Sequence, residues 1–245
     1  MKDNFRLLPP AHSSLISFKK NSPHMAKENI MIDLHTHSFF SDGELVPAEH
    51  LRRVEVLGYK AVAITDHADS SNIDFILPRI LKAAADLNRF SATRLLAGIE
   101  LTHVPPELMA ELTRYARKLG AQVVVAHGET VVEPVRPGTN RAALEAGVDL
   151  LAHPGFITLE EARLAAEKGI MLELSGRKGH SLTNGHVAKI ADMAGATLAV
   201  NADAHGPGDF LTRDMARIVA LGAGLTPERY EQIRKDMADF VAALR

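Results

Sequence analysis

Two imidazoles one residue apart, His35 and His37, follow the apolar run Ile30–Leu34, and a turn bearing Ser41, Asp42 and Gly43 comes next. Side chains alternate along an extended strand, so His35 and His37 share a face. Two like-facing, partly buried imidazoles are hard to explain by packing and easy to explain as two ligands of one cation. Similar chemistry follows later apolar runs: Asp66 and His67, Glu100 with His103, His127 then Glu129, His153 before Pro154, Glu173 leading into Arg177, Lys178 and His180, and finally Asp203 and His205. Taken singly, a strand-end histidine is most often a hydrogen-bonded structural residue, and a strand-end carboxylate is commonly a helix N-cap. The set as a whole favours metal binding, whereas His12, His24, His50 and His186 scatter over helices and loops as surface histidines do.

The donor set narrows the metal. The 245-residue chain has no cysteine, which excludes disulfides, thiolate sites, iron–sulfur clusters and cysteine nucleophiles. Nitrogen and oxygen ligands from His, Asp and Glu suit Zn²⁺, Mn²⁺ or Fe²⁺. One tetrahedral zinc takes about three or four protein ligands. The candidates here exceed that, so two or three ions can be shared if a carboxylate bridges. Glu100, with an oxygen for each of two metals, suits that part.

Groups so far apart in sequence need elements that bring their ends together. Short apolar runs at Ile30–Leu34, Ala61–Thr65, Arg94–Ile99, Gln122–Ala126, Asp149–Ala152, Ile170–Leu174 and Thr197–Val200 have the composition of strands buried on both faces. Amphipathic segments alternate with them: Pro47–Leu57, Asp74–Arg89, Glu107–Leu119, Asn140–Ala146, Thr158–Lys168, Gly185–Ala194, Leu211–Leu221 and Thr226–Leu244. Several run into a glycine, and Thr158 with Glu161 has capping-box spacing. Such alternation implies a parallel sheet with helices outside, either a closed barrel or an open doubly wound sheet. No glycine-rich phosphate turn follows the first strand, and polar residues follow nearly every strand rather than one switch point. An α/β barrel of about seven strands, with its functional rim at the strands' C-terminal ends, is therefore expected.

Composition bounds the rest. A formal net charge of −2 gives no general attraction to nucleic acid, and no apolar run reaches the roughly 18 residues of a membrane span. Residues 1–29 lack an apolar signal core and a clear cleavage site. They read as a flexible or loosely docked extension, with Met25 and Met31 as alternative starts, ahead of one domain over 30–245. A cytoplasmic location is the default expectation. Walker-type, Gly-x-Ser-x-Gly and His-Glu-x-x-His signatures are absent.

The ordered motifs His35-x-His37 with Asp42-Gly43, Thr65-Asp66-His67, Gly98-Ile99-Glu100, His127, His153-Pro154 and Asp203-Ala204-His205 resemble the PHP (polymerase and histidinol phosphatase) family. The resemblance covers nearly all of the chain after the extension. It implies a distorted (β/α)7, TIM-like barrel with a two- or three-metal cluster at the C-terminal rim. Carried over residue by residue, it places a first metal on His35, His37, Glu100 and Asp203. A second shares Glu100 and adds His127 and His153, and a third takes Asp42, His67 and His205. All nine positions are filled.

The resemblance further implies a metal-dependent phosphoesterase, similar to histidinol phosphatases, that hydrolyses small-molecule phosphate monoesters through a hydroxide bridging two metals. Arg177, suited to bidentate contact, is the expected phosphate clamp. His180 is the expected donor of a proton to the leaving alkoxide. Asp66 is expected to orient a ligand imidazole or cap a helix. Phosphodiester cleavage on nucleic acid is an alternative, but it wants a basic groove with stacking aromatics. Carbon–nitrogen hydrolysis wants a strand-end lysine, and none of the strand ends offers one. A non-catalytic metal-binding regulatory barrel predicts missing ligands.

Overall fold

The computed structural model describes residues 30–244. The extension over 1–29, with His12, His24 and Met25, lies outside the described residues. The parallel sheet comprises β1 (Ile32–Thr36), β2 (Ala61–Ile64), β3 (His67–Ala68), β4 (Arg94–Leu101), β5 (Val123–His127), β6 (Leu150–Ala152), β7 (Met171–Ser175) and β8 (Leu198–Asn201). Their order is β1-β2-β4-β5-β6-β7-β8, with β3 also paired to β4. β2 and β3 form one interrupted strand position whose register does not slip: Ile64 faces Ala97, and His67 faces Glu100. The break was not predicted by apolar patterning. It places an imidazole directly beside a carboxylate at the rim.

The sheet is a nearly closed seven-stranded barrel. β8 returns to β1 through backbone bonds from His37 to Ala204 (2.8 Å) and from Asp203 to His35 (3.0 Å). Below these, side chains replace the ladder: the Leu34 N–H donates to Asn201 Oδ1 and the Ala202 N–H to Asp33 Oδ2, each at 2.9 Å. Two buried polar residues thus close the seam and hold the ends of β1 and β8 side by side.

Among the described residues, eight α-helices surround the barrel: α1 (Pro47–Val56), α2 (Ile73–Leu87), α3 (Pro106–Leu119), α4 (Thr139–Ala146), α5 (Leu159–Lys168), α6 (Asn184–Ala194), α7 (Arg213–Gly222) and α8 (Pro227–Ala243). The capping box of Thr158 and Glu161 starts α5. α3, α4, α5 and α6 end on the left-handed glycines Gly120, Gly147, Gly169 and Gly195.

One expectation fails. His50 is not a surface histidine: with Pro47, Leu51 and Val54 it forms the buried face of α1, and its Nε2 lies 3.0 Å from Thr36 Oγ1. Burial lowers its pKa to about 4, so the ring is neutral.

Candidate metal centre

The strand ends deliver all nine expected positions to one pocket. His35 is in β1 and His37 just beyond it, with Nε2 atoms 3.1 Å apart. Glu100 lies within β4, which runs two residues further than the apolar run suggests, and its carboxylate sits among four imidazoles. His35 Nε2 is 3.3 Å and His153 Nε2 3.6 Å from Oε1, while His67 Nδ1 is 2.6 Å and His37 Nε2 3.9 Å from Oε2. Asp203 closes the opposite side: its Oδ1 is 3.2 Å from His37 Nε2, and its Oδ2 is 3.7 Å from His153 Nε2. Asp42 reaches in from the turn after β1, its Oδ1 lying 3.4 Å from His67 Nε2 and 3.2 Å from His205 Nε2.

Overlapping groups of these atoms, each within 4.8 Å of one another, are His35–His37–Glu100, His35–His153–Asp203, Glu100–His127–His153 and His37–Asp42–His67–His205. They overlap the expected three-way partition without reproducing it: His153 groups with His35 and Asp203 as well as with Glu100 and His127, and His37 also borders the Asp42 group.

The donor set fits divalent cations. Glu100 Oε1 is buried with no hydrogen-bond partner, and so are His37 Nδ1 and His153 Nδ1. A buried, unpartnered carboxylate oxygen facing imidazole nitrogens is expensive unless a cation meets it. The protonation pattern shows the same crowding. Burial opposes charge on Glu100, yet His35 and His67 outweigh it and hold its carboxyl well below the usual range. Burial also opposes charge on His35, but Glu173, Asp203 and Glu100 keep its pKa well above the ordinary value. Burial and the neighbouring His67 and His35 push His37 well down, and burial with His127 does the same to His153. Burial raises Asp203 to about 7 despite His35. Neutral imidazoles beside charged ones are what divalent ions would replace with a uniform set of lone pairs.

Backbone strain concentrates here. Among the described residues, the non-glycine positions with positive φ are His103 (52°), His153 (27°) and Asp203 (52°). All three follow strands and turn their chains at the rim. Strain of this kind persists where the surroundings over-determine it, which is common at functional sites.

The supporting residues divide in a way the sequence did not reveal. Glu173 Oε2 lies 2.8 Å from His35 Nδ1, so that nitrogen carries the hydrogen and Nε2 is the atom turned to the pocket, where a cation would displace its proton. A glutamate inside the buried strand β7 was the available signal. Asp66 neither orients an imidazole nor caps a helix. Its carboxylate accepts from Ser38 N–H (2.7 Å), Ser38 Oγ (2.7 Å), Ser41 N–H (3.2 Å) and Ser41 Oγ (2.6 Å). It thus clamps the turn that presents Asp42.

Arg177 stands at the mouth. Its Nη1 donates to the Asp203 carbonyl (3.2 Å) and lies 2.6 Å from His205 Nδ1, which is itself 3.0 Å from the same carbonyl. His180, in a 3₁₀ turn after β7 that was not predicted, stacks on His153 at 4.0 Å. Its Nδ1 meets Thr130 Oγ1 at 2.8 Å. Burial lowers its pKa. Glu129 accepts from the N–H groups of Gly138 (2.9 Å) and Asn140 (3.0 Å), pinning the loop after β5.

The chain is similar to known proteins in sequence and in fold. The sequence model of the PHP domain matches residues 33–130. A Methanocaldococcus jannaschii protein, "Uncharacterized protein MJ1295", is 46% identical over 201 residues, covering 81% of this chain and 92% of its own. "Probable phosphatase Shewana3_2794" of Shewanella sp. (strain ANA-3) is 30% identical over 200 residues, covering 71% of this chain and 76% of its own. Among solved structures, histidinol phosphate phosphatase from Lactococcus lactis subsp. lactis, complexed with zinc, L-histidinol and phosphate, superposes with a TM-score of 0.57 at 18% identity. The match covers 80% of this chain and 94% of that one.

Proposed function

This chain belongs to the PHP domain family, and from that premise we propose that it is a metal-dependent phosphoesterase acting on small-molecule phosphate monoesters. The observation that carries the proposal is the meeting of nine imidazoles and carboxylates in overlapping groups, with the buried Glu100 Oε1 left without a hydrogen-bond partner. His35, His37, Glu100 and Asp203 would hold one ion, Glu100, His127 and His153 a second, and Asp42, His67 and His205 a third. When bound, such ions lower the pKa of water toward about 7 and draw charge from phosphate oxygens.

The chain's own residues do the positioning. Glu173 keeps the His35 Nε2 lone pair turned inward, and Asp66 keeps Asp42 at the rim. When His205 offers Nε2 as a ligand, its Nδ1 carries the hydrogen and donates to the Asp203 carbonyl. The Arg177 guanidinium then has no acceptor on that ring; Nη1 keeps the Asp203 carbonyl, and its remaining N–H groups can fork onto two phosphate oxygens. His180, within 3.9 Å of Asp203 Oδ2, is the proposed proton donor to the leaving alkoxide; burial lowers its pKa, so the negative charge of a bound phosphate would have to raise it before it could give that proton. The zinc, L-histidinol and phosphate named with the Lactococcus structure support a small alcohol as the leaving group.

The test is a panel of phosphometabolites offered to purified protein reloaded separately with Zn²⁺, Mn²⁺ and Fe²⁺, with metal content measured in parallel. Metal-dependent phosphate release that disappears in Glu100→Ala is expected. Release that survives that substitution, or a protein that binds metal and hydrolyses no phosphomonoester, would overturn the proposal.

A further inference from the structure

The pocket mouth carries a carboxylate outside the nine positions. Glu133 lies on the loop joining β5 to α4, and three imidazoles converge on it. His127 Nε2 and His103 Nε2 are each 3.1 Å from its Oε2, and His180 Nε2 is 3.4 Å from its Oε1.

This placement is built. Glu129 ties the start of the loop to Gly138 and Asn140 at its end. Asn140 bonds back to the Glu129 N–H and to the Pro154 carbonyl, at 2.9 Å each. Arg136 forks onto Glu107 of α3 at 3.0 and 2.9 Å. On the other side of the carboxylate, His103 is held at a positive φ of 52°.

The tautomer of His127 decides what this carboxylate is for. Its Nδ1 lies 3.1 Å from the Gly128 carbonyl. A carbonyl only accepts, so Nδ1 carries the hydrogen and Nε2 holds the one lone pair. His127 belongs both to the Glu100–His127–His153 group and to the His103–His127–Glu133 group, and with Nδ1 turned to the Gly128 carbonyl, Nε2 is the atom it can offer to a cation in either. One lone pair cannot serve two cations, so Glu133 does not build a separate outer site. Metal–nitrogen and metal–oxygen bonds of about 2.0–2.2 Å place neighbouring ligands of one ion roughly 3 to 3.5 Å apart. The 3.1 Å between His127 Nε2 and Glu133 Oε2 falls in that range.

We propose that Glu133 is a further, displaceable ligand of the ion held by Glu100, His127 and His153, with His103 and His180 steadying its carboxylate. This rests on the metal-centre reading above. A catalytic ion needs an open position for substrate, so an arriving phosphate must displace Glu133. The loop therefore acts as a plug that makes anions compete for the second ion.

The experiment compares wild type, Glu133→Gln, Glu133→Ala and His103→Asn. Elemental analysis gives the number of ions. Chelator competition gives their affinities, the visible spectrum of the Co²⁺ form reports the ligand set, and titration of the loaded protein uses inorganic phosphate as the probe. Glu133 is half-exposed, so its variants keep the fold. Expected is one ion weakened by about 10- to 100-fold or more in both Glu133 variants, an altered Co²⁺ spectrum, and tighter phosphate binding than in wild type. His103→Asn should show a smaller weakening of the same ion. If the variants hold every ion at wild-type affinity with an unchanged Co²⁺ spectrum, Glu133 is only an ion-pair partner and this inference falls alone. If wild type itself holds no metal, the proposed function falls with it.

Discussion

Glu173→Gln isolates how much one buried hydrogen bond contributes to holding metal. Glu173 and His35 are both fully buried, and the carboxylate meets Nδ1 at 2.8 Å. Oε2 also accepts from Asn201 Nδ2 at 3.3 Å, while Oε1 has no partner. A glutamine can keep its oxygen on both donors and put its NH₂ where Oε1 was, so shape and bonding survive and only the charge is lost. A bond to a charged group contributes about 1.5–3 kcal/mol and a neutral one about 1, so the change removes roughly 1 to 2 kcal/mol from the bond that aims His35.

Converted at about 1.4 kcal/mol per decade, the ion on His35 should weaken by about 5- to 30-fold, which overlaps the effect of other partners of metal-bound histidines. An opposing effect gives the prediction a shape. Burial disfavours protonated His35, and Glu173 is the largest of the groups that outweigh burial. Losing that charge also eases proton competition for Nε2. The deficit should therefore be small at pH 6 and widen toward pH 8.5, where the proton no longer competes as strongly. Zinc affinity measured against a chromophoric chelator at both pH values reads this directly. Wild-type affinity in the variant at pH 8.5 would refute the claim that Glu173 positions a ligand.

Other consequences are as direct. Asp66→Ala removes four hydrogen bonds from the turn that presents Asp42, at about 1 kcal/mol each, so urea denaturation should show a loss of about 3–4 kcal/mol; a loss well under 1 would mean that the turn holds itself. Burial opposes charge on His67, but Glu100 and Asp42 raise it to about 10. That raised value stabilises the metal-free fold fully below the unfolded pKa of about 6.5 and is lost as pH climbs through about 10. An ion on His67 must expel that proton, so calorimetry in buffers of different ionisation enthalpy should find at least one proton released at pH 7.5, and none would contradict it. Arg177→Lys keeps charge but not the fork; KM for a phosphomonoester should rise about 10-fold or more with metal content unchanged, whereas lost metal and an unchanged KM would make Arg177 a support for His205 and Asp203.

Much of this molecule was readable because its chemistry is tied to strand ends. The apolar runs fixed the strands to within a few residues, and the spacing of His35 and His37 gave a shared face before any fold was assumed. Thr158 with Glu161 and the terminal glycines signalled helix ends through purely local geometry. Three-dimensional pairings were less legible. Nothing around Asp33 or Asn201 announces that their side chains close the seam between β1 and β8. Glu133 reads as an ordinary loop acid until His103, His127 and His180 meet it. His50 could have been found, since Pro47, His50, Leu51 and Val54 repeat at helical spacing and place it on the buried face of α1.

The central claim is that far-apart strand ends hold several cations in one pocket. Anomalous diffraction at the zinc, manganese and iron edges, from crystals of the active protein, tests it most directly. At least two peaks are predicted, one bounded by His35, His37, Glu100 and Asp203 and one by Glu100, His127 and His153. Active crystals with no peak between these side chains would contradict the account.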